Sequence, residues 1–177
     1  FEDYKFFKDE FDDIKQWFPN INKRNDDELV LHLRLGDRLY YKETYDKNLN
    51  PCVGPNRYIN AIKSISFKRL HIVTDMPKWK EINIDEFLSY KFHVDIEKEK
   101  KVAPEISVNY FNEIFNELNE FRPTVSGSLM NKRRAVDDFS ELRSFKNIIF
   151  EHSTTAWWAA VLSDAKRVGV YGPWRPF

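Results

Sequence analysis

The sequence predicts an α/β domain built as a Rossmann-like parallel sheet with helices on both faces. Three observations carry this. Short apolar runs alternate along the chain with stretches whose apolar residues recur at helical spacing, the pattern of β–α–β units. The apolar runs are continuous rather than alternating, as in strands covered on both faces. Finally, 177 residues with 42% hydrophobic and 16% aromatic content suit one domain, 1–177, with a core of its own.

The elements follow in order. Phe7, Phe11, Ile14 and Phe18 are spaced by 4, 3 and 4 and predict an N-terminal helix over 4–18, stopped by Pro19. Leu29 to Leu33 is a strand. Gly36, Pro51, Gly54 and Pro55 mark a loop, and Tyr58, Ile62 and Ile65 give the next helix its apolar face. Leu70 to Thr74 is a second strand and Phe92-His93-Val94 a candidate third. The region 96–137 is charged, interrupted by Pro104 and Pro123 and loosened by Ser126-Gly127-Ser128. It is expected to be an irregular excursion carrying one helix, through Val108, Phe111, Phe115 and Leu118, with a mobile loop around Thr124 to Arg134. Phe139, Leu142 and Phe145 form a short helix ahead of the strand Ile148-Ile149-Phe150. Thr155 to Ser163 is a Trp- and Ala-rich helix whose Trp157 and Trp158 read as core. Arg167 to Tyr171 is the last strand.

Charge and cysteine usage narrow the function. Lys plus Arg equals Asp plus Glu at 28 each, so the basic excess typical of a nucleic-acid binder is missing and no nucleic-acid partner is expected. Cys52 stands alone, which excludes an intrachain disulfide and a thiolate zinc cluster. No Asp-x-Asp ends a strand and no His or Cys cluster has ligand spacing, so no metal cofactor is expected. No apolar run approaches the roughly 20 residues of a membrane span. Phe1 already lies in a helical pattern, so the chain is expected to be part of a longer protein. A cytoplasmic location is expected, or the Golgi lumen where a preceding part carries an anchor.

In open parallel sheets ligands bind beyond the carboxyl ends of the strands. That rule selects His32-Leu33-Arg34-Leu35-Gly36-Asp37 after the first strand, Thr74-Asp75 after the second, and Ser153-Thr154-Thr155 after Ile148-Ile149-Phe150. These residue types suit a nucleoside diphosphate. Strand alternation puts His32 and Arg34 on one side. The Arg34 fork matches phosphate oxygens and keeps its charge. The turn at 153–155 opens a helix, whose N–H groups and dipole attract an anion. Asp75 can accept from a ribose hydroxyl or from the two N–H groups of a guanine edge. Each residue also has a structural reading: Arg34 paired with Asp37, His32 satisfied in the core, Ser153 as an N-cap and Asp75 as a turn residue before Pro77.

Leu31-His32-Leu33-Arg34-Leu35-Gly36-Asp37 resembles the His-x-Arg-Arg-Gly-Asp motif of the α-1,2-fucosyltransferases. Ser153-Thr154-Thr155-Ala156-Trp157-Trp158-Ala159-Ala160 is similar to that family's Ser-Thr-Phe-Ser-Trp-Trp-Ala-Ala segment, and Val73 to Trp79 to its strand-end Ser/Thr-Asp followed by Trp. Tyr58 to Ile62 falls where the family has Tyr-Tyr-x-x-Ala-Ile. The resemblance implies the donor-binding lobe of a GT-B glycosyltransferase, inverting and metal-independent, moving fucose from GDP-fucose to a glycan hydroxyl. It implies that Arg34 binds the diphosphate, His32 and Asp75 the nucleoside, and Ser153, Thr154 and Thr155 the phosphates. Asp37 would orient Arg34 or serve as base. The chain departs from the pattern at Leu35, where the family has a second Arg, and at Thr155, where it has an aromatic. Two rival readings follow: a catalytically silent module that binds a nucleotide or glycan, and a transferase using another nucleotide sugar.

Overall fold

The structure, a computed structural model, describes residues 9–18, 21–36, 55–90, 104–151 and 153–171. Five strands form one sheet: β1 (Glu28–Leu33), β2 (Arg69–Thr74), β3 (Thr124–Ser126), β4 (Asn147–Glu151) and β5 (Arg167–Tyr171). Every pairing is parallel and the order is β3-β2-β1-β4-β5. The helices among the described residues are α1 (Phe11–Gln16), α2 (Pro55–Lys63), α3 (Ile84–Ser89), α4 (Pro104–Asn119), α5 (Ser128–Asn131), α6 (Ala135–Arg143) and α7 (Thr154–Val161).

Strand alternation divides the core in two. Leu29, Leu31, Leu33, Leu70, Ile72 and Ile149 meet α2, α3 and α4 through residues such as Ile62, Phe87, Phe111 and Ile114. Val30, Val73, Ile148 and Phe150 point the other way, onto Leu142 of α6 and Ala156, Trp157 and Ala160 of α7. Burying a large aliphatic side chain stabilises by roughly 1.5–3 kcal/mol, and both faces do so, which is why the middles of β1, β2 and β4 are largely apolar. The connections β1–α2–β2 and β2–α3–α4–β3 run over the first face. Those leading to β4 and β5, through α6 and α7, run over the second.

The stretch expected to be an irregular excursion carries its one expected helix and, beyond it, a strand that was not expected. Its helix α4 runs 16 residues, and Thr124-Val125-Ser126 forms the edge strand β3, paired to His71, Ile72 and Val73. A three-residue edge strand with one apolar residue carries no readable period, which hid it in the sequence. Thr124 to Arg134, expected to be a mobile loop, is tied down. A Cβ on Gly127 would lie 1.8 Å from the Thr74 carbonyl oxygen, so the backbones approach more closely than any other residue permits. The Ser128 N–H donates to Asp138 Oδ2 at 2.8 Å, and Arg133 forms ion pairs with Asp138 and Glu141. The N-terminal helix, expected over 4–18, is described as a 3-10 turn at 9–10 followed by α1. Residues 4–8, the expected strand 92–94 and the first part of the excursion, 96–103, lie outside the described residues.

Candidate functional site

The sheet order reverses at β1. From β1 the chain steps outward to β2 and β3, then returns to the other side of β1 for β4 and β5. Helices covering opposite faces therefore diverge above the β1/β4 boundary, the topological switch point where open α/β sheets hold ligands. The register pairs His32 with Phe150 and Leu33 with Thr74, so the chain leaves β1, β2 and β4 at nearly the same height. Arg34 to Gly36, Asp75 and Ser153 to Thr155 therefore share the carboxyl edge.

His32 is half-buried on the face of α6 and α7, and Arg34, two residues on, is exposed. Asp37 lies outside the described residues. Ser153 is buried, and its hydroxyl caps α7 by accepting from the Ala156 N–H at 3.2 Å. That bond realises the structural reading of Ser153 and sets the helix's first turn, on which Thr154 and Thr155 are exposed. A hydroxyl that accepts one N–H keeps a proton to donate, so capping leaves Ser153 chemistry for an oxyanion.

Asp75 faces the protein's own backbone. Its Oδ1 accepts from the N–H of Leu35 at 2.8 Å and from that of Gly36 at 3.0 Å. A grip on guanine through both carboxylate oxygens, expected from the sequence, would have to share Oδ1 with these two donors.

Two features of this edge were not singled out as functional from the sequence. Glu151, the last residue of β4, and Tyr58, in the first turns of α2, are both buried, and the Tyr58 O–H donates to Glu151 Oε2. They are 93 residues apart, so no local pattern pairs them. The second is a groove of about 600 Å³ between α1, α6 and α7. Trp17, Phe18, Val136, Phe139 and Trp158 wall it, and Thr154 and Thr155 stand at the start of α7 as its polar residues. It is in the size range of ligand cavities, and no charged residue lines it among the described residues. Trp157 is core as expected, while Trp158 is shared between core and groove wall.

Among the described residues no group of three or more His, Cys, Asp or Glu could hold a metal ion. No helix among them is long and apolar enough to cross a membrane. No family model, no curated protein and no solved structure matches the chain.

Proposed function

We propose that this chain is the donor-binding domain of a glycosyltransferase and holds a nucleotide sugar at the β1/β4 switch point. GDP-fucose is the donor that the motif resemblance implies, and a glycan hydroxyl the acceptor. The reading is carried by one observation: an exposed arginine leaves β1, and a capped helix N-terminus leaves neighbouring β4, at the same edge of a parallel sheet whose strand order reverses between them. The diphosphate bridges that gap. As the bond to the sugar lengthens, positive charge grows on the sugar and negative charge on the departing diphosphate. Arg34 and the α7 N-terminus oppose that negative charge from fixed positions, without reorganising at the moment of reaction. Asp37 lies three residues past Arg34, and its task in this reading is to orient the guanidinium.

The test is a thermal-shift panel of GDP, UDP, CDP and ADP on the full chain, followed by hydrolysis of GDP-fucose with and without EDTA. Binding to the folded state raises the melting temperature by mass action. The expected outcome is a rise with GDP and slow, EDTA-insensitive release of fucose. A flat response to all four nucleotides overturns the donor-site reading. Activity abolished by EDTA and restored by manganese overturns its metal-independent form. GDP binding without turnover in the complete protein favours the silent module.

A further inference from the structure

We propose that Asp75 is a positioning residue for Arg34, acting through the backbone of the turn that follows β1 and not through the nucleoside; this rests on the donor-site reading above. The N–H of Leu35 belongs to the same peptide unit as the carbonyl of Arg34. A bond from that N–H to Asp75 Oδ1, at 2.8 Å, fixes the plane of this peptide and with it the ψ angle of Arg34. The second bond, from Gly36 at 3.0 Å, fixes the next peptide as well. On the other side of Arg34, Leu33 is held in the ladder opposite Thr74. Leu35 itself is buried at 1% exposure, so its side chain anchors the turn from below. Arg34 is thus an exposed residue between two immobile neighbours, and its Cα–Cβ direction is set by the carboxylate that follows β2. Two successive N–H groups converging on one oxygen form a small anion cradle. Here the protein fills that cradle itself, so the ligand's anion is left to Arg34 and the α7 terminus.

The chemistry separates this role from base reading. The side-chain carbonyl of asparagine can accept the same two N–H groups, but its amide cannot receive guanine's paired donors as a carboxylate does. Kd is measured for GDP, UDP and inorganic pyrophosphate on the wild type, Asp75→Asn, Asp75→Ala, Arg34→Ala and the Asp75→Ala/Arg34→Ala pair. Amide exchange at Leu35 and Gly36 is followed in parallel. Asp75→Ala is expected to weaken all three ligands alike, by about ten- to a hundredfold, the scale that small misplacements of a site group produce. Asp75→Asn retains most of the affinity. Adding Asp75→Ala to Arg34→Ala costs little more, because the two act as one unit. Leu35 and Gly36 exchange faster in Asp75→Ala and not in Asp75→Asn. Loss confined to GDP, additive losses in the pair, or a lowered melting temperature with unchanged Kd values each overturn the proposal. If the wild type binds none of the probes, the donor-site reading fails with all that rests on it. Unchanged exchange at Leu35 and Gly36 sinks the Asp75 tie alone.

Discussion

The two ends of this sheet are built on opposite principles. At the amino edge, charged side chains pair with one another. Glu28, buried at the start of β1, receives Arg69 at 2.7 Å, His71 at 2.9 Å and Arg24 at 3.7 Å. Asp26 bridges Lys146 and Lys166, which lead into β4 and β5, and these ammonium groups hold its carboxyl at about 2. Asn147 ties the same corner by donating to the carbonyls of Asp26 and Glu28 at 2.7 and 3.0 Å. At the carboxyl edge the side chains that carry charge or hydroxyls outward, Arg34, Thr154 and Thr155, are exposed. Half-buried Asp75 and the buried Ser153 hydroxyl hold backbone in place there, while Glu151, buried at the end of β4, accepts the Tyr58 O–H. One edge uses polar groups to close the fold; the other uses them to fix a frame around a surface. The difference matches the rule that parallel sheets bind ligands at their carboxyl ends, because there the loops and helix N-termini converge.

The sharpest way to break this comparison is to show that the amino edge matters for ligands or the carboxyl edge only for stability. Glu28→Ala leaves a buried histidine and two arginines facing the gap without their carboxylate. Both arginines are exposed and keep their water, and burial holds His71 toward its neutral form, so no buried charge is stranded, and losing the hydrogen bond to the carboxylate costs about 1.5–3 kcal/mol. Denaturant unfolding is expected to show that loss, while the nucleotide Kd, extrapolated to fully folded protein, stays unchanged. A Kd that moves with stability would mean the two edges are not separate.

Arg34 is the converse case. Arg34→Lys and Arg34→Ala are both expected to lower turnover by about a hundredfold or more, with a smaller effect on donor binding, because the diphosphate gains charge as the sugar leaves. Lysine keeps the charge but lacks the planar fork, so it does not rescue. Steady-state kinetics on folded variants give the comparison. If Arg34 is only the partner of Asp37, Asp37→Asn is as damaging, through lost stability. A folded Arg34→Ala protein with near-normal transfer refutes the phosphate clamp.

The smallest effect tests the amino edge by pH. Burial pushes the His71 imidazole below its ordinary value, outweighing the pull of Glu28 Oε2 upon its Nε2. The unfolded chain therefore binds a proton at a higher pH than the folded one. Stability is complete above about 6.5, the ordinary histidine value, and falls as pH drops from there toward the lowered folded value. Chemical denaturation between pH 7.5 and 5 is expected to show this slope, and His71→Gln to flatten it. An unchanged slope in His71→Gln would assign the titration elsewhere.

Much of the frame was legible because buried parallel strands announce themselves. The runs around Leu31, Ile72 and Ile149 needed no partner to be recognised, since strands covered on both faces read as near-continuous apolar runs. The helix after β4 was equally plain from Ser153 followed by an apolar stretch. The candidate edge followed from one general rule applied to those strand ends. What stayed hidden was whatever depends on a partner distant along the chain. β3 is a strand because β2 lies beside it, not because Thr124-Val125-Ser126 is apolar. Gly127 is needed because the Thr74 carbonyl crowds it. Glu151 meets Tyr58 across 93 residues.

Asp75 shows the division within one residue. The sequence by itself determined that a carboxylate ends β2 beside the arginine that leaves β1, because apolar runs fix where strands stop and a parallel sheet brings their ends to one edge. Only the tertiary structure decided which donors that carboxylate meets. A hydrogen bond forms within about 3 Å, and the register Leu33 opposite Thr74 brings the N–H groups of Leu35 and Gly36 inside that distance from Asp75. Periodicity sets the height at which a residue leaves its strand, whereas the geometry between strands sets what it holds.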